Sequence, residues 1–258
     1  MSGELGRALT VMSLSFRGSL RGLRALGLVA FAAVPSLIVL ALVSAHPGAG
    51  TLSNAAEALF GSLTLPIVVM VIVLVLSVAQ FRNEIDAETL VYLSDRSVSH
   101  TTIVVGKYFG ALGASLLLVL PCSLAPLGIA ELAGGTPYSD TVPLVLACAA
   151  VLATAAYVAI FLFFGLVSRS ALMIGLLFGF LWEELLSLAP GDVPRLTLVY
   201  YLQSFLSGVL TSGPLSGYPT SVPSTLATAV VISVASISVL LAVLAFNFLE
   251  TAPERESA

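Results

Sequence analysis

Residues 142–167 read VPLVLACAAVLATAAYVAIFLFFGLV, 26 positions without one charged side chain. As a helix rising 1.5 Å per residue, that run is about 39 Å long, enough to cross the roughly 30 Å hydrocarbon core of a bilayer. Five more runs of similar character lie at about 25–45, 58–80, 108–130, 170–190 and 226–249. These six stretches predict an all-α integral membrane protein with six transmembrane helices, spanning 25–249.

Composition leads to the same place. Of 258 residues, 58% are apolar and 9% are charged, where a soluble domain carries roughly a quarter charged residues. So little polar surface cannot cover a globule in water, which excludes a soluble enzyme, a nucleic-acid binder and a disordered scaffold. The net charge of −4 matters less than where the charges sit. The basic residues are Arg7, Arg17, Arg21, Arg24, Arg82, Arg96, Lys107, Arg169, Arg195 and Arg255. Six spans put both termini on one side. With the termini in the cytoplasm, nine of these ten lie inside and only Arg195 lies outside, as the positive-inside bias requires. The expected location is therefore the plasma membrane, multi-pass, with both ends cytoplasmic. Residues 25–45 are long enough to remain as a span, unlike a cleavable signal. Cys122 and Cys148 both fall within predicted spans and read as small packing residues.

Outside the spans the chain is patterned too. Leu5, Leu9, Met12, Phe16, Leu20 and Leu23 recur every three or four residues, and Arg17, Arg21 and Arg24 form a stripe beside them. Residues 1–24 are therefore expected to be an amphipathic helix lying in the headgroup layer. Between the fifth and sixth spans, the outer segment 191–225 holds the run 195–210, too short to span and rich in tyrosine. It reads as a short helix at the outer interface. Residues 250–258 form a polar cytoplasmic tail. Gly106 and Gly110, like Gly175 and Gly179, are spaced to let helices approach closely. Pro121 and Pro126 fall inside the third span, where proline bends a helix. No repeat at fixed period supports an inverted-repeat transporter.

The cytoplasmic loop 81–107 reads FRNEIDAETLVYLSDRSVSHTTIVVGK. Four acids, Glu84, Asp86, Glu88 and Asp95, surround an apolar set of Leu90, Tyr92 and Leu93. From the residues alone this is either a docking element for another protein or a solvated loop. The segment resembles the signature region of type-2 ABC transporter permeases, the membrane subunits of ABC exporters. The matching positions are Glu84, Thr89, Leu90, Leu93, Val98, Ser99, Ile103, Gly106 and Lys107. Glu88, Ser97 and His100 depart from the family's usual glycine, proline and arginine. A second likeness is Leu181-Trp182-Glu183, ending the fifth span where members often carry a Trp-Glu pair.

The resemblance implies that 81–107 is a coupling loop, with Glu84, Asp86, Thr89, Leu90, Leu93 and Arg96 docking on a separate ATP-binding subunit. It also implies a second permease chain, identical or related, with the translocation pathway between the two. Gly106-Lys107 is followed by Tyr108, so this chain lacks the residues of a phosphate-binding loop. ATP and magnesium are accordingly expected on the partner subunit, with no cofactor held here. Lys107 would mark the cytoplasmic boundary of the third span.

Glu183 and Glu184 sit inside the fifth span, where a charge is costly and calls for an explanation. Adjacent helical residues point about 100° apart, so one of them faces the bundle. One reading puts Glu183, with Trp182, in the outer vestibule of a pathway, paired with Arg195 beyond the Pro190-Gly191 turn. The other has both glutamates capping the outer end of the span near water and fixing the loop. Glu131 reads as an interfacial anchor. His46 and His100 lie on opposite sides of the membrane and cannot pair. An intramembrane protease with adjacent glutamates would need a following arginine and histidines within spans, and neither is present. The expectation is a transport protein and not an enzyme: a permease of an ATP-driven exporter, or alternatively an ion-coupled transporter or channel with no ATPase partner.

Overall fold

The computed structural model describes residues 10–16, 18, 23–45, 51–86, 100–218 and 221–251. Every regular element among them is a helix. Residues 10–16 form α1, and α2 (Leu23–Ala32) and α3 (Val34–Ala45) follow. Next, α4 (Leu52–Leu59) runs through a π-helical stretch, Phe60–Val69, into α5 (Met70–Asp86). The long helices α6 (His100–Leu132) and α7 (Thr141–Val167) come after it. Helix α8 (Ala171–Leu177) continues as a second π-helical stretch, Phe178–Leu185, and α9 (Leu198–Val209) precedes α10 (Ser224–Thr251).

Among the described residues, five helical stretches are long and apolar enough to cross a membrane: Ala25–Ala45, Leu52–Phe81, Thr101–Leu132, Thr141–Val167 and Ser224–Phe248. This is the build of a multi-pass membrane protein. The expected fifth span differs from the others. It is helical over 171–187, only 17 residues, the short limit for crossing a bilayer core.

Proline and glycine explain much of the local geometry. Pro35 has no N–H to donate, and the first membrane-length helix is interrupted at Ala33, just before it. Pro66 lies in the first π-helical stretch, where widening the turn accommodates a ring that would otherwise meet the preceding carbonyl. By contrast, α6 runs through Pro121 and Pro126 without a break.

Helix α7 is the centre of the bundle, with α5, α6 and α10 packed against it. Two-thirds (67%) of the most apolar stretch of both Leu52–Phe81 and Thr141–Val167 is buried within the chain, against 17% for Ala25–Ala45 and Ser224–Phe248. The first pair forms the core, and the second pair turns most of its surface outward. Three of the four paired glycines sit at helix contacts. A Cβ on Gly110 would fall 2.6 Å from the Cβ of Ser15, so α1 rides directly on α6. Gly175 and Gly179 face the side chains of Leu74 and Met70, which seats α8 and its π-helical extension on α5.

Candidate functional site

Glu183 lies in the second π-helical stretch and is buried, with 1% of its surface exposed. Its carboxylate reaches out of its own helix to the start of α9. The Leu198 N–H donates to Oε1 at 3.2 Å and the Val199 N–H to Oε2 at 3.0 Å. The Tyr157 hydroxyl, from α7, donates to Oε2 at 3.4 Å. Thr197 precedes α9 in an extended conformation, and its Oγ1 accepts from the Tyr200 N–H at 3.3 Å. The first three N–H groups of α9 would otherwise be orphaned in a buried place. Glu183 and Thr197 satisfy all three, and in its ionised form the carboxylate meets the positive end of the helix.

Trp182 adds a second tie, donating from Nε1 to the Leu196 carbonyl at 3.1 Å. The expected pairing of Glu183 with Arg195 is not formed. Arg195 instead makes an exposed ion pair with Asp192 at 3.2 Å and donates to Ser221 Oγ at 3.1 Å. Arg195 lies three positions after Asp192 in a 3₁₀ turn, so the nearer partner wins. The two glutamates also part company as their angular separation requires. Glu183 points inward, while Glu184 is half-buried, and its Oε1 has no hydrogen-bond partner among the described residues. Glu183 ties the start of α9 from a buried position.

Beside this clasp lies a cavity of about 240 Å³. Three rings, Phe178, Trp182 and Tyr201, line it together with Glu183. Ile160, Val230 and Val234 supply apolar wall from α7 and α10.

A second buried carboxylate escaped the sequence reading. Glu57 on α4 is 5% exposed, and its Oε2 has no hydrogen-bond partner among the described residues. It faces Gly213, whose φ of +89° and crowded Cα both require glycine. Gly213 precedes the 3₁₀ turn Pro214–Gly217. Of the three helical pieces in the outer segment, Val193–Leu196, α9 and Pro214–Gly217, two are therefore met by an acid: α9 by Glu183 and the start of Pro214–Gly217 by Glu57. The only signal in the sequence was an acid near the start of an apolar run. Nearby, the Tyr138 hydroxyl donates to the Ser53 carbonyl at 2.8 Å. Burial pushes this phenol up to about 12.

At the opposite end of the bundle, Lys107 is 2% exposed. Its Nζ donates to the Gln80 carbonyl at 2.6 Å and lies 4.4 Å from the centre of the Phe81 ring. Lys107 is thus a buried tie between α6 and α5, two turns inside a helix that begins earlier than expected, at His100. Of the predicted docking residues, Glu84 and Asp86 fall in the last turn of α5. Thr89, Leu90, Leu93 and Arg96 lie outside the described residues.

No protein-family model matches the chain, and comparison with curated proteins finds no match either.

Proposed function

We propose that the chain is the membrane permease subunit of an ATP-driven ABC exporter, six spans deep with both termini in the cytoplasm. Two permease chains would form the pathway between them, and ATP hydrolysis would occur on a separate subunit docked at the 81–107 loop. What supports the reading is the pattern Glu84, Thr89, Leu90, Leu93, Val98, Ser99, Ile103, Gly106 and Lys107, set between two helices of membrane length.

The mechanics are consistent with it. The loop leaves α5 and enters α6, and the Lys107–Gln80 bond fastens those two helices together. A load applied to residues 87–99 would be shared by both helices, and α5 carries it to the bundle core through α7. At the far end, the 193–217 segment, tied by Glu183 and facing Glu57, would form the outer closure of the pathway.

The test is charge reversal at Glu84 and Asp86. Loss of ATPase co-purification with membrane insertion intact is expected, and unchanged co-purification would contradict the docking role. A specific observation favours a second reading. Glu57 and Glu183 are buried within a chain of membrane-length helices; such glutamates are also what an ion-coupled transporter needs, and that reading requires no ATPase.

A further inference from the structure

We propose that the cavity beside Glu183 binds a monocationic amphiphile, with an ammonium head among Phe178, Trp182 and Tyr201 and an apolar tail along Ile160, Val230 and Val234. The first ground is charge. The three donors to the Glu183 carboxylate, two backbone N–H groups and the Tyr157 hydroxyl, are all neutral. Arg195 is the only basic residue between α8 and α10, and it is engaged by Asp192 and Ser221. Dipoles therefore hold the carboxylate without a described counter-ion, and the cavity beside it is electrostatically suited to a cation.

The second ground is the lining. Aromatic faces carry negative potential and attract cations, most strongly where water is excluded. Three such rings converge here with a carboxylate. The rest of the wall is aliphatic except for Thr197, whose hydroxyl is already engaged by the Pro194 carbonyl and the Tyr200 N–H. That wall fits a chain and lacks the several oxygen donors a bare metal ion needs. An anion would face the carboxylate, and a neutral molecule would gain only apolar burial. The inference rests on the transport reading only in making such a molecule the cargo.

Trp182 is the chain's single tryptophan, so fluorescence excited selectively at tryptophan, beyond tyrosine absorption, reports on this cavity. The full chain, purified in non-ionic detergent, is titrated with hexyltrimethylammonium, and with hexyl sulfate and hexanol as anionic and neutral counterparts. A saturable change in emission is expected with the cation only. Glu183→Gln keeps an oxygen acceptor for the α9 amides and removes the charge. It should raise the half-saturating concentration on the order of tenfold, as loss of a desolvated ion pair predicts. Should that variant fail to fold, Tyr201→Leu removes a ring without touching the clasp and should weaken the cation severalfold. Equal responses to all three compounds, no saturable response to any, or cation binding unchanged in the variants would overturn the assignment. The titration needs no second protein. Cation binding by a chain that never captures an ATPase would keep the site and refute the permease reading, and the reverse result would do the opposite.

Discussion

Replacing Glu183 by leucine gives the sharpest test of the outer clasp. The change keeps a side chain of similar length but deletes both acceptors at the start of α9. The Leu198 and Val199 N–H groups, both on buried residues, lose their partner, and so does the Tyr157 hydroxyl. Each buried donor left unsatisfied costs about 1–3 kcal/mol, so the two amides alone amount to about 2–6 kcal/mol. Removing a buried charge returns part of that, because the carboxylate no longer has to be desolvated. The expected net destabilisation is about 2–3 kcal/mol, concentrated in α9. Glu183→Gln, which retains one acceptor oxygen, should cost about 1 kcal/mol. Hydrogen exchange by mass spectrometry, alongside denaturant unfolding in detergent, reads both quantities. Exchange should accelerate over 198–201 in the leucine variant, with α5 and α7 little changed. Wild-type protection of these amides in a folded leucine variant would refute the clasp, because their hydrogen bonds would have to end somewhere else.

Other perturbations follow from the same contacts. Gly213→Ala places a Cβ against the Glu57 carboxylate at a positive φ, so a loss of at least about 1–2 kcal/mol is expected in thermal unfolding. Gly110→Leu should lift α1 from α6, since the space belongs to Ser15 and the Met12 carbonyl; limited proteolysis would then cut near residues 10–16 while the spans stay intact. Lys107→Met keeps the stem but loses a charged hydrogen bond to Gln80, and unfolding should register about 1.5–3 kcal/mol. For Tyr138, burial raises the folded phenol from 10.0 to about 12. Its stabilising contribution is complete below pH 10 and is lost as pH rises towards 12. A phenolate absorbance titration of wild type against Tyr138→Phe should show one tyrosine ionising late; one more tyrosine titrating near the ordinary value would contradict the burial.

What the sequence made legible is what depends on composition along a run. Residues 142–167 carry no charge, and α7 is indeed the buried centre of the bundle. Gly110, Gly175 and Gly179 announced close contacts because a missing Cβ has one steric meaning wherever the neighbour comes from. What depended on long-range direction was not legible. Glu183 and Glu184 are equivalent in sequence, and only the placement of α9 across the bundle gives one of them two amides to bind. Arg195 looked like the counter-ion for Glu183 because it was the one outer base, yet a local turn brought Asp192 closer. Glu57 drew no notice, since its burial is created by a loop more than 150 residues away in the chain. The second π-helical stretch contains no proline to betray it.

The most direct measurement is affinity purification of the full chain from its native membranes in mild detergent, with bound proteins identified by mass spectrometry. A soluble protein carrying a nucleotide-binding loop, present in stoichiometric amount and lost on charge reversal at Glu84 and Asp86, is the expected result. A chain that emerges without any nucleotide-binding partner, even after cross-linking in the membrane, would contradict the permease assignment and leave the ion-coupled alternative standing.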